Sequence, residues 1–214
     1  MSDKSNKYGY VGVDIPAQSF GNNKGVFNPA EINDLVAENK WTTFGQLELI
    51  ETKTISSALA NFTTLNENIY NVHLFTLTDM VVTTQTEFGI RVSDDGGSTY
   101  ETTNYQFANQ RGLASGSFAE RKSTSQASIR LGGDVTTATN SVFNGYVYMY
   151  NAGDSGKYTF FTSHNTFMSG TTQAFEFGSG VYAVASTINA IQFGQGILNA
   201  FSSGTISAYG IAES

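Results

Sequence analysis

From Gln46 onward the chain places apolar residues at every second position or in short continuous runs, and it closes these runs with Gly, Asn, Ser or Asp. Period-two alternation turns one face of an extended strand inward and the other outward, whereas a helix needs apolar residues three and four apart. Phe88, Ile90 and Val92 alternate with Glu87, Gly89 and Arg91, and residues 69–77 are apolar on both faces. Strands are read there and at 47–51, 100–107, 127–132, 142–150, 158–164, 173–177, 188–193 and 205–211. One segment reads as a helix. Asn28 supplies a cap, Pro29 the first helical position and Glu31 the third residue after the cap; Ile32, Leu35 and Val36 follow at helical spacing. Short strands between turn residues, with one short helix, define a mainly β chain. The expected architecture is an antiparallel jelly-roll-like sandwich preceded by an extended N-terminal arm, with a barrel as the alternative. Residues 1–53 are assigned to the arm, with its helix near 29–40, and residues 54–214 to the sandwich.

Composition narrows the function. Only 14% of the 214 residues are charged and the net charge is −7, so nucleic acid and anionic membrane, which need clustered positive charge, are excluded as partners. The absence of cysteine removes disulfides, thiolate nucleophiles and thiolate metal sites. With two isolated histidines and no phosphate-binding glycine loop, neither a metal nor a cofactor is expected. No apolar run approaches a membrane span or a secretory signal, so the chain is expected to be soluble as made, without membrane insertion. Charge is also unevenly placed. After Lys157 there is no Lys or Arg, and Glu176 and Glu213 are the only acids, while Phe160, Phe161, Phe167, Phe175, Phe177, Tyr182, Phe193, Phe201 and Tyr209 all lie in that stretch. Such a stretch either forms central strands covered by the chain itself or faces neighbouring subunits. A mixture is expected, and with it a homo-oligomer.

Several motifs carry the appearance of chemistry. Gly153-Asp154-Ser155-Gly156 resembles a serine-protease nucleophile segment, but Lys157 stands where a second glycine belongs, the base would have to be His73 or His164, and His73 sits in an apolar run. A turn between Tyr150 and Tyr158 is the better reading. Ser93, Asp95, Gly97, Thr99 and Tyr100 fit the Asp-box pattern, in which the aspartate caps a turn with an aromatic packed beneath it; a hairpin joining the strands around Ile90 and Tyr105 is expected. A Ca²⁺ site at Asp94 and Asp95 is disfavoured, because adjacent carboxylates on an extended chain point apart. Asn61-Phe62-Thr63 fits the glycosylation pattern but lacks a signal peptide to bring it to that enzyme. No carboxylate pair is singled out by spacing, and the chain reads as a non-enzyme. Residues 108–126 read as a long Gly/Ser-rich loop that gathers Arg111, Arg121 and Lys122.

Specific wording adds a resemblance. Tyr8-Gly9-Tyr10, the stretch from Gln18 through Phe20 to Phe27, the helix with Trp41 after it, and Gln46-Leu47-Glu48-Leu49-Ile50-Glu51-Thr52 resemble small virion proteins of tailed bacteriophages. The Asp-box segment, Tyr146-Val147-Tyr148-Met149-Tyr150-Asn151 and Ser207-Ala208-Tyr209-Gly210-Ile211 look like the β-domains of phage tail fibres, minor tail proteins and capsid decorations. The resemblance implies a structural virion protein, often trimeric, on the tail or capsid surface, with no catalytic residues. On this reading the arm docks on other virion proteins through Tyr8, Tyr10, Phe20, Phe27 and Trp41, while the sandwich projects and forms homotrimers. The alternative is a receptor- or carbohydrate-binding module that contacts a host-surface glycan with exposed Tyr105 and Tyr182 and with Arg111, Arg121 and Lys122.

Overall fold

The computed structural model describes residues 29–37, 47–138, 140–195 and 201–212. The chain divides into two compact units, Met1–Gly45 and Gln46–Ser214. In the first, the described element is helix α1 (Pro29–Ala37), whose Ile32 and Leu35 are half-buried while Asn33 and Asp34 are exposed. Tyr8, Tyr10, Phe20, Phe27, Asn28, residues 38–40 and Trp41 lie outside the described residues.

The second unit is an antiparallel two-sheet sandwich. Its strands are β1 (Leu47–Ala58), β2 (Ala60–Phe62), β3 (Val72–Val81), β4 (Thr86–Ser93), β5 (Tyr105–Leu113), β6 (Phe118–Gln126), β7 (Ile129–Val135), β8 (Phe143–Tyr150), β9 (Thr159–Ser169), β10 (Thr172–Tyr182), β11 (Ala190–Gln195) and β12 (Phe201–Ile211). They divide unequally. Eight form one sheet in the order β1-β12-β3-β8-β9-β10-β5-β6, and four form the other in the order β2-β11-β4-β7. The sequence places residues 47–53 in the arm. They are instead the first half of β1, held along its length by β12, with Leu47 opposite Ile211 and Lys53 opposite Ile206.

Phenylalanines from facing strands close the space between the sheets. Phe75 of β3 meets Phe62 of β2 and Phe193 of β11, with ring centroids 5.7 Å and 5.3 Å away. Farther along, Phe88 of β4 stacks on Phe143 of β8 at 4.0 Å and leans against Phe201 of β12. All six rings are buried. Offset and edge-on contacts of this kind add to the transfer free energy of the rings themselves.

His73 of β3 is buried in the same layer. Its Nε2–H donates to the Leu65 carbonyl at 2.7 Å, while Nδ1 has no hydrogen-bond partner among the described residues. Burial lowers its pKa below the ordinary 6.5, against the smaller opposing pull of that hydrogen bond and of Glu67. The unfolded chain therefore binds the proton more tightly than the folded one, and stability falls as pH drops through about 6.5 toward the folded-state pKa. Urea midpoints measured from pH 7.5 to 5 are expected to decline, and to decline less in His73→Gln. Equal slopes in the two proteins contradict this assignment.

Candidate functional site

Opposed residues of neighbouring strands share a sheet face, so the pairings define rows that cross the large sheet. On its outer face one row runs Thr52, Ser207, Thr76, Tyr146, His164, Phe177, Gln110 and Glu120. The next runs Leu49, Tyr209, Leu74, Tyr148, Thr162, Ser179, Ala108 and Lys122, and the one beyond it Leu47, Ile211, Val72, Tyr150, Phe160, Val181 and Gln106. In these three rows the six strands between the two edges present no Asp, Glu, Lys or Arg. Water-facing sheet surfaces ordinarily carry charge, and this one presents rings.

Those rings touch in series. Tyr150 meets Tyr148, Tyr148 meets Tyr146, and the line continues through His164, Phe177 and Phe175 to Phe118, with successive centroids 5.7 to 6.3 Å apart. Phe118 is 69% and Phe177 46% exposed, and Tyr146 and Phe160 are exposed as well. A Cβ at Gly112 would stand 2.4 Å from the Phe175 ring, so glycine at that position is what lets the ring lie over β5. Beside Phe177, the small residues Ala108 and Gly178 leave a hollow of roughly 390 Å³ bounded by Glu120 and Lys122. A projecting ring next to a hollow is the relief of a packing surface. Of the aromatics that follow Lys157, Phe161, Phe167, Tyr182, Phe193 and Phe201 belong to the core, and Phe160, Phe175, Phe177 and Tyr209 belong to this outer face.

The expected loop 108–126 is a hairpin. Residues 105–113 and 118–126 pair as β5 and β6, with Asn109 opposite Arg121. β6 has a polar sequence because it is an edge strand, joined to the sheet by backbone hydrogen bonds, and its exposed Glu120–Lys122 pair at 2.6 Å blunts that edge. Pairing also overturns three expected contacts. Tyr105 and Tyr182 are 0% and 3% exposed, with rings 5.2 Å apart, so neither can stack on an external sugar. The Tyr105 hydroxyl instead accepts the Val92 N–H at 2.8 Å and ties the large sheet to β4. Arg111 is 5% exposed: it pairs with Asp134, donates to Ser169 Oγ at 2.6 Å and lies over the Phe167 ring.

Arg111 belongs to a buried polar seam where β7 crosses β5 and β10. The fully buried Glu176 accepts from Asn109 Nδ2 at 3.0 Å and from Arg130 Nε at 3.3 Å, and Arg130 reaches Glu87 at 3.0 Å. At the outer end of the seam a cavity of roughly 390 Å³ is lined by Thr86, Glu87, Phe107, Arg121, Lys122, Gln126, Ser128 and Arg130. Arg121 and Lys122, singled out in the sequence, both reach it. Arg130 was not legible as a site residue, because its neighbours in the cavity come from three other strands and the β6–β7 connection.

The Asp-box residues form the expected turn. Asp95 Oδ1 accepts from Ser93 Oγ at 2.7 Å and from the Thr99 N–H at 2.9 Å, while Oδ2 accepts from Thr99 Oγ1 at 2.7 Å. These donors hold its carboxyl well below the usual range, at about 2. At Gly97, φ is +85° and a Cβ would meet Thr63 at 2.8 Å, which explains the glycine. The turn does not join paired strands, however: it carries the chain from β4 in the small sheet to β5 in the large one. Gly153-Asp154-Ser155-Gly156 lies in the β8–β9 connection, where Asp154 accepts the Gly156 N–H and pairs with Lys157 at 2.8 Å. Among the described residues, no three His, Asp or Glu side chains gather as metal ligands, and no helix is long and apolar enough to cross a membrane. The chain matches no protein-family model and no curated protein.

Proposed function

We propose that the chain is a structural protein of a bacteriophage virion, with the arm docking on the particle and the sandwich projecting as a homo-oligomer. The observation that carries this reading is the ring-bearing outer face of the eight-stranded sheet, whose six strands between the edges present no charge in the three rows traced above. A second copy of the chain, which also has a net charge of −7, can cover the strands between the edges and leave the Glu120–Lys122 pair of the β6 edge in water, whereas burying charged residues costs several kcal/mol for each ion on the order of magnitude known for protein interiors. A trimer is the expected assembly, and other virion proteins are the partners of the arm. Adding the tagged full-length chain to particles and imaging the label tests the reading. The full chain should decorate tail or capsid, and a chain lacking residues 1–45, which keeps β1 whole, should not. Equal incorporation of the two removes the docking role of the arm, and no incorporation of either removes the virion role.

A second reading, a glycan-binding module of the tail, has its own support in the cavity at the end of the buried seam. It is compatible with the first reading, because the cavity meets the hollow of the outer face at Lys122 alone.

A further inference from the structure

The cavity between the β4 and β7 rim and the β6 edge is lined chiefly by hydrogen-bond donors. Arg121, Lys122 and Arg130 supply N–H groups, and Gln126 and Ser128 an amide and a hydroxyl. Its single carboxylate, Glu87, is already held by Arg130 at 3.0 Å. The other cations are unequally engaged. Lys122 pairs with Glu120 at 2.6 Å, and Arg130 is shared between Glu87 and the buried Glu176. Arg121 is the least committed, since Asp134, 3.9 Å away, is already held closely by Arg111, and Arg121 Nε has no partner among the described residues.

An acceptor-rich, negatively charged ligand complements such a lining, and the half-buried Phe107 offers one apolar surface at its wall. The volume of roughly 390 Å³ accommodates a ligand of about two sugar rings and falls within the usual range for small-molecule sites. We infer that this cavity binds a carboxylate-bearing saccharide, with Arg121 as the principal partner of the carboxylate and Phe107 packed against a ring. This inference rests on the glycan-binding reading and specifies its site and ligand class. The sequence points elsewhere for sugar stacking, to Tyr105 and Tyr182, which are core residues; Phe107 is the ring of β5 that reaches a cavity.

Calorimetric titration of the full chain with digalacturonate, and with neutral lactose and inorganic phosphate in parallel, tests it. Digalacturonate should bind, more weakly as salt is raised, and lactose should not. Arg121→Gln should weaken binding by about tenfold or more, as expected for loss of a charge-assisted contact. Gln126→Ala should weaken it less, and Lys157→Gln, on the distant β8–β9 turn, should leave it unchanged. Thermal melts of each variant establish that it is folded. Digalacturonate binding unaffected by Arg121→Gln overturns the site while leaving glycan binding intact. Equal binding of lactose overturns the role of the carboxylate. Phosphate binding alone overturns the saccharide in favour of a simple anion, and no binding by any probe overturns the glycan reading together with the site.

Discussion

Glu176→Ala is expected to destabilise the sandwich by about 3–5 kcal/mol, the usual cost of removing one member of a buried ion pair. Glu176 is completely buried in β10, and its Oε1 receives both Arg130 Nε and Asn109 Nδ2. Deleting the carboxylate strips a nearly buried guanidinium of its interior partner and leaves the Asn109 amide one acceptor short, although the amide keeps the Arg130 carbonyl at 2.9 Å. Arg130 also keeps Glu87 at the rim, which places the loss toward the lower end of the range. The cause is the orphaned charge and not the lost volume. Replacing both partners, Glu176→Leu with Arg130→Met, should therefore recover most of the stability, because apolar residues of similar size offset the missing pair without any buried charge. Urea unfolding distinguishes the cases: a single-variant loss under about 1 kcal/mol, or a double variant no better than the single, contradicts the seam's role.

Phe177→Glu and Tyr146→Glu should each convert the proposed homo-oligomer to monomer while leaving the fold intact. The two residues lie in one row of the outer face with His164 between them, and both rings contact that histidine. A carboxylate at either position puts a charge among central strands that present none in these rows, and in a symmetric assembly the change occurs in every copy. Because both side chains are already exposed, the cost to the isolated subunit should stay within about 0.5 kcal/mol. The effect is thus confined to association. Thr162→Glu, on the adjacent row, extends the test to the centre of the same face.

The central strands were legible because their alternation is apolar. Phe88, Ile90 and Val92 mark the inward side of β4, and Tyr146, Tyr148 and Tyr150 mark the outward side of β8. β6 was not, since its sequence FAERKSTSQ has no apolar side to announce a strand; its conformation comes from backbone pairing with β5. The inward residues of β5 explain the misplaced site residues. Tyr105, Phe107, Asn109 and Arg111 share one parity, so the strand turns two polar side chains inward, and these are tolerable only because β7 and β10 bring Asp134, Glu176 and the Arg130 carbonyl to meet them. Such partners are distant in sequence, and local pattern carries no trace of them. The Asp-box turn was legible with Asp95 as its cap, because the partners of that carboxylate, Ser93 and Thr99, lie within a few residues. Its destination in the other sheet was not.

The proposed self-association through the outer face is tested most directly by sedimentation equilibrium of the full chain over a wide concentration range, beside Phe177→Glu. The wild-type chain should sediment at a multiple of its 23.0 kDa mass, a threefold one for the expected trimer, and the variant at the mass of a single chain. A wild-type protein that stays at 23.0 kDa throughout, or a variant that associates as the wild type does, contradicts the account.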